Sequence, residues 1–200
     1  MNLKTLIFYM MLPVISFSLL GCGHYGPPQP PERFAPAAVL NISTTSQADG
    51  VTLQWRSPEK NLQGKPLEDL QYFDIRRTDL RDIPQFRKDP IKNSISVGTV
   101  NDKAIADFVA RRSKARSNKT PLRKEKINPE LIQYDFFDGS VVRGESYLYS
   151  IVPMTKGDIP GKVEHYVRVR FSGTESEITL LDSDIFDRPY ALAFPSRTLP

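Results

Sequence analysis

Two hundred residues contain a single cysteine, Cys22, so a disulfide framework within the chain and any multi-cysteine zinc site are excluded. Two histidines, His24 and His165, leave little for a metal centre. Seventeen prolines against eleven glycines argue against a helical bundle and for stiff linkers and edge-rich β structure. A Gly-x-Ser-x-Gly elbow, a glycine-rich phosphate loop and a His-Glu-x-x-His pair are absent from the sequence. No catalytic residue, metal ligand or cofactor is therefore expected. With 40% hydrophobic and 25% charged residues and a mean hydropathy of −0.36, the chain is neither a polytopic membrane protein nor wholly disordered.

What is present begins with an address. A basic start ending in Lys4 precedes a 16-residue apolar stretch over 5–20, broken by Pro13. That is short of the roughly 20 apolar residues of a spanning helix and fits a secretory signal. Leu19-Leu20-Gly21-Cys22 follows, with a Leu three residues before the cysteine and a small residue directly before it. This resembles the lipobox of bacterial lipoproteins. The resemblance implies cleavage between Gly21 and Cys22. It also implies a diacylglyceryl thioether on the Cys22 thiol, and in many bacteria a further acyl chain on its amine. Two or three chains anchor a protein stably where one does not. The expected location is the cell envelope, on a membrane without spanning it. Gly23 stands where Asp accompanies inner-membrane retention, which favours the outer membrane of a Gram-negative cell.

Removal of residues 1–21 leaves 179, enough for one core. Residues 22–36 carry five prolines and read as an extended spacer rather than a proline-rich ligand.

From residue 37 onward, period-two apolar alternation recurs between turn signals, the pattern of half-buried strands. Strands are expected at 38–42, 51–55, 72–77, 95–100, 134–137, 146–154 and 162–171. A polar turn is expected to end at Asp49-Gly50. Val51, Leu53 and Trp55 share one face, as do Val163, His165, Val167, Val169 and Phe171. His165 is expected to be a satisfied structural histidine. Seven such strands predict an all-β sandwich.

Several residues in order resemble the fibronectin type III domain, an immunoglobulin-like sandwich. They are Pro36 before the first strand, Trp55 closing the second, Ser57-Pro58, then Tyr72, Ile75 and Arg77 on the third. Asp138, Gly144, Tyr147, Tyr149 and Val152 complete the set, with Ile151 meeting the usual Tyr-x-Tyr-x-Val spacing better. The resemblance implies that Tyr147 is a tyrosine corner, its hydroxyl bonded to backbone between the fifth and sixth strands. It covers 37–173, longer than the usual domain of roughly ninety residues, with the excess concentrated at about 81–130.

That insertion holds the charge. Between 103 and 126 nine basic residues face Asp107 and Glu125, a net +7, while the rest of the mature chain sums to −4. Asn101-Asp102 is expected to cap a short helix with Ala104, Ile105, Phe108 and Val109 as its apolar stripe and Arg111 and Arg112 near its negative end. Residues 111–126, nearly devoid of apolar side chains, are expected to be mobile. Arg111, Arg112, Lys114, Arg116, Lys119, Arg123, Lys124 and Lys126 are the candidate anion-binding residues, against the favoured alternative of a solvated loop that merely keeps the protein soluble. Export and the lack of interleaved aromatics disfavour nucleic acid as the ligand.

The stretch 174–200 is a C-terminal extension in which 175–181 adds a strand. Tyr190, Leu192 and Phe194 are candidate partner-docking residues, although packing of these apolar groups back onto the sandwich is the preferred reading. The expectation is a non-enzymatic, lipid-anchored envelope protein that presents a sandwich for binding a protein or anionic polymer. The alternatives are an assembly subunit docking through its tail and an accessory module of an exported polysaccharide-active system.

Overall fold

The structure, a computed structural model, describes residues 30–80 and 94–186. The signal and most of the spacer lie outside the described residues, as do 81–93 of the insertion and the tail from 187. Among the described residues are β1 (Leu40–Gln47), β2 (Gly50–Arg56), β3 (Leu70–Asp79), β4 (Ile95–Asn101), β5 (Gln133–Asp138), β6 (Ser146–Thr155), β7 (His165–Arg170) and β8 (Glu177–Asp182). One helix, α1 (Ala104–Ser117), separates β4 from β5. The strands form two antiparallel sheets, β1-β2-β5 and β4-β3-β6-β7-β8. No helix of the described residues is long and apolar enough to cross a membrane.

Alternation along each strand sends one set of side chains between the sheets. Val51, Leu53 and Trp55 of β2 meet Phe73 and Ile75 of β3 and Tyr149 and Ile151 of β6, all of them buried. Trp55 lies edge-on to Phe73 at 5.4 Å and stacks on Tyr134 at 6.0 Å, while Phe73 and Tyr134 approach to 4.7 Å. Aromatic pairs in these geometries add on the order of 0.5–1.5 kcal/mol each beyond their buried area. The period-two reading of an all-β sandwich holds.

Two local expectations are corrected. Residues 43–47 extend β1 rather than forming a turn, pairing Ser43 with Gln54 through to Gln47 with Gly50, so the turn narrows to Ala48-Asp49. An edge strand with a solvated face needs no apolar alternation, and β-branched Thr44 and Thr45 suit extended backbone. Val163 does not share the face of Val167, Val169 and Phe171. It precedes β7 and packs in a second cluster on the outer face of the larger sheet, with Leu80, Leu148, Tyr166 and Phe186. His165 is a satisfied histidine as expected, half-exposed with its Nδ1 2.8 Å from Asp182 Oδ1 across the β7–β8 pair. The chain after Gly173 belongs to the larger sheet as β8. The turn Ser183–Phe186 then lays Phe186 edge-on against Tyr166 at 4.8 Å.

The sandwich has two distinct poles. At the entry pole, Ala37 N–H donates to Lys60 O at 3.0 Å, Leu62 N–H to Ala35 O at 2.9 Å and Lys162 N–H to Pro36 O at 3.0 Å. The β2–β3 and β6–β7 connections thus clasp the incoming chain. Gly161 sits inside this clasp. A Cβ there would stand 2.6 Å from Pro153 Cγ and 2.7 Å from Pro36 O, atoms of a ring and a backbone that cannot swing aside. Gly161→Ala is expected to cost about 1–3 kcal/mol by overpacking, seen as a lower urea midpoint. An unchanged midpoint would contradict the clasp. At the opposite pole the β1–β2 turn meets the β5–β6 and β7–β8 connections, with Gly144 N–H donating to Phe171 O at 2.7 Å.

Candidate functional site

Residues 103–126 fold as a helix and a return segment, contrary to the mobility expected of 111–126. Asp102, at the end of β4, donates its backbone N–H to Gln71 O at 2.8 Å and so fixes where α1 starts. One carboxylate oxygen of Asp102 accepts from Ile105 N–H and Ala106 N–H, both at 2.9 Å, which satisfies two otherwise orphan donors of the first turn. The other accepts the Tyr134 hydroxyl at 2.8 Å, and that hydroxyl accepts from Lys103 N–H at 3.0 Å and Ala104 N–H at 3.1 Å. Burial pushes the Asp102 carboxyl above its usual range, and the bonds from Ala106, Tyr134, Ile105 and Ala104 only partly offset it. Burial also pushes Tyr134 up to about 12; the neighbouring Asp102 charge adds to this while the Lys103 and Ala104 amides oppose it. Tyr134 is therefore a core aromatic whose polar tip holds the helix.

The expected stripe is corrected in part. Ala104, Ile105, Phe108 and Ala115 are buried, whereas Val109 is 37% exposed. The helix also runs on to Ser117, which places Arg111 and Arg112 mid-helix rather than near its negative end. Both arginines are committed internally. Arg111 donates to Asp107 Oδ2 and Glu125 Oε2, each at 2.9 Å, and to Lys126 O at 2.6 Å. These bonds raise its already high pKa, the Asp107 contact contributing most. Arg112 pairs with Glu68 of the β2–β3 connection and lies 5.3 Å over the Phe108 ring. The helix ends where Lys119 adopts φ 53, with Thr120 N–H and Oγ1 both donating to Ala115 O, at 2.9 and 3.1 Å. The chain then folds back, and Arg111 staples the returning segment at Glu125 and Lys126.

Lys114, Arg116, Lys119, Arg123, Lys124 and Lys126 remain exposed, together with Lys103. Among the described residues none of these seven side chains has an acidic partner. Seven exposed cations on one compact element give it a local positive potential. Gly21 and Cys22 lie outside the described residues, as do Tyr190, Leu192 and Phe194. Among the described residues, no group of three or more His, Cys, Asp or Glu could hold a metal ion.

Sequence reasoning missed the neighbourhood of this face. Phe34 is 40% exposed and lines a groove with Lys65, Pro66 and Glu68. Glu68 is also the partner of Arg112, so the groove joins the entry segment to α1. Nothing local in the sequence announces a pairing between positions 68 and 112, since it arises from the sheet topology.

The opposite pole gathers the residues of the resemblance. Val142 N–H donates to the Tyr147 hydroxyl at 2.9 Å, the expected corner. Arg77, on the inner face of β3, donates to Asp138 Oδ2 at 2.6 Å across the two sheets, and Tyr149 donates to the same oxygen at 2.8 Å.

No family model and no curated protein matches the sequence. Solved structures similar to the chain include titin domains A168–A170, at 10% identity and a TM-score of 0.35, covering 64% of this chain and 30% of that one. A structure described as a myokine is 10% identical, with a TM-score of 0.34 and coverage of 70% and 100%. A fibronectin type III domain from the human KIAA0970 protein is 13% identical, with a TM-score of 0.37 and coverage of 78% and 85%. The chain thus spans under a third of the titin structure's length. The strand order is decisive: β1-β2-β5 faces β4-β3-β6-β7, with the Tyr147 corner between β5 and β6. The fold is fibronectin type III-like. Within this fibronectin type III-like sandwich, α1 and its return segment occupy the connection between β4 and β5, and β8 is a strand added at the β7 edge.

Proposed function

We propose that the protein is a non-enzymatic, lipid-anchored protein of the bacterial envelope whose fibronectin type III-like module binds a protein or an anionic polymer through the basic face. The carrying observation is that seven exposed cations without acidic partners among the described residues sit on an element held to the core by Asp102 and Tyr134 and closed on itself by Arg111. A solvated loop kept only for solubility needs no such lock. The anchor reading rests on Gly21-Cys22 and the apolar stretch before them. The function of such sandwiches lies in their loops and edges rather than in the fold itself.

The test is a pull-down from detergent-solubilised envelope. It compares wild type with a variant in which Lys114, Arg116, Lys119, Arg123, Lys124 and Lys126 are all Gln. The expected result is a protein or polymer retained by wild type, reduced at least about tenfold in the variant and released by salt, since each surface charge contributes on the order of 1 kcal/mol. Identical captured sets would overturn the reading. They would favour an assembly subunit docking through Tyr190, Leu192 and Phe194. That reading draws support from Phe186, the last described residue, which packs on the larger sheet's outer face.

A further inference from the structure

The entry segment, the groove beneath it and the basic element share one pole. Pro36 and Ala37 are clasped by the β2–β3 and β6–β7 connections. Glu68 of the first connection lines the groove containing Phe34 and also pairs with Arg112 of α1. The basic element therefore stands beside the point at which the N-terminal spacer joins the sandwich. Exposed apolar side chains accompany it, Phe34 and Leu62 on the entry side and Val109 on the helix.

We propose that this pole is a membrane-facing surface: the basic element lies against the anionic headgroups of the bilayer that holds the protein's own N-terminus. The inference rests on the lipid-anchor reading for its orientation and deepens the anion-binding one by naming the partner. Seven residues lie between Cys22 and Pro30, so even a fully extended spacer keeps Pro30, four residues before Phe34 of the groove, within about 30 Å of an anchor at Cys22. Tethering at that range makes the second contact effectively intramolecular and so strengthens the headgroup binding that the free chain makes on its own. Attraction to an anionic surface decays over about 8 Å at physiological salt, so only the pole nearest the anchor can use it. A basic surface interspersed with a few exposed apolar side chains is the composition that suits a headgroup layer. A soluble polymer, by contrast, would be served equally well by a basic patch at either pole.

The test uses the chain from Gly23 without acylation, so that lipidation cannot mediate binding. All buried core residues of both clusters lie between Val39 and Phe186, so this chain keeps the whole sandwich. It is sedimented with vesicles of phosphatidylcholine containing 30% phosphatidylglycerol, and with pure phosphatidylcholine, at low and high NaCl. Wild type is expected to bind the anionic vesicles only, with affinity falling at least about a hundredfold in the sixfold Gln variant and steeply with salt. Orientation is read from an environment-sensitive dye on one introduced cysteine, the native one being absent from this chain. A blue shift on vesicles is expected at Lys119→Cys and none at Asp49→Cys, in the turn of the opposite pole.

Equal binding by wild type and variant, no binding by either, or a shift at both labels overturns the inference. So does binding to a free anionic polysaccharide without binding to vesicles, which leaves the broader anion-binding reading standing. The anchor is judged separately, from the mass of the mature chain isolated from its own cells. An unacylated mass would remove the anchor while leaving the vesicle result to stand or fall alone.

Discussion

Arg77→Met is expected to destabilise the protein by about 3 kcal/mol, because it removes one half of a buried ion pair and leaves the other half charged. Arg77 reaches from the inner face of β3 to Asp138 at the end of β5, 2.6 Å away, so this pair ties one sheet to the other. The Asp138 side chain is 3% exposed and that of Arg77 14%, which places the effect at the lower end of the usual range for buried pairs, about 3–5 kcal/mol. Arg77 also lies 4.9 Å over the Tyr147 ring, so the tyrosine corner loses a packing partner in the same change. Burial alone would raise the Asp138 carboxyl. The bonds from Ser140, Tyr149 and Arg77 outweigh it and hold the group below its usual value. A carboxyl depressed in the folded state stabilises above its unfolded value of about 3.9 and loses that contribution as pH falls through the folded value. Wild type should therefore lose stability below about pH 4, and the loss should be shallower in Arg77→Met, where the depression is smaller. Urea titrations at neutral and acid pH check both points. A cost under about 1 kcal/mol with an unchanged acid limb would mean that the latch is decorative. A double-mutant cycle with Asp138→Asn isolates the coupling between the two groups.

How much of this was legible in the sequence depended on whether the cause was local. Val51, Leu53 and Trp55 announced β2 because each sits two residues from the next, and burial on one face is what a strand's alternation encodes. Asp138, Tyr147 and Tyr149 were readable for the same reason, since short fixed spacings place them around one corner. The Asp102 cap was visible as an acid just before an apolar helical stripe. The ordering of 111–126 was not. Its apolar content is too low to predict folding, and its lock consists of polar contacts. Arg111 to Glu125 and Lys126 spans a reversal of chain, Arg112 to Glu68 spans two strands, and Tyr134 looks like any strand aromatic. The strand at 43–47 escaped because an edge strand facing water carries no hydrophobic signal. The shared pole followed only from the register of β3 with β4, which returns the chain at Asp102 to the start of β3.

Tyr134→Phe is expected to cost about 2–3 kcal/mol while leaving the aromatic core intact. The ring still stacks against Trp55 and Phe73, and only the hydroxyl is lost. That hydroxyl serves Lys103 N–H, Ala104 N–H and Asp102 at once, so its removal leaves two backbone donors and a buried carboxylate oxygen without this partner. A buried group so orphaned carries a penalty of about 1–3 kcal/mol, more when it is charged. The damage should be local first. Amides of α1 should exchange faster than those of β2 and β6, because the helix can open at its first turn while the sandwich stays closed. Asp102 supplies an independent readout. It is already raised by burial, and the Tyr134 bond is one of the contacts that lower it, so in Tyr134→Phe its pKa should rise further. A raised carboxyl contributes stability below its unfolded value and loses it as pH rises through the folded value, opposite in sign to Asp138. Mild acidification should thus narrow the stability gap between Tyr134→Phe and wild type before the Asp138 loss sets in. Vesicle affinity should fall only modestly, because all seven exposed cations remain and only their common support loosens. Wild-type exchange in α1 and an unmoved Asp102 would place the anchor of the basic face elsewhere, in the Arg111 staple and the Phe108 contact alone.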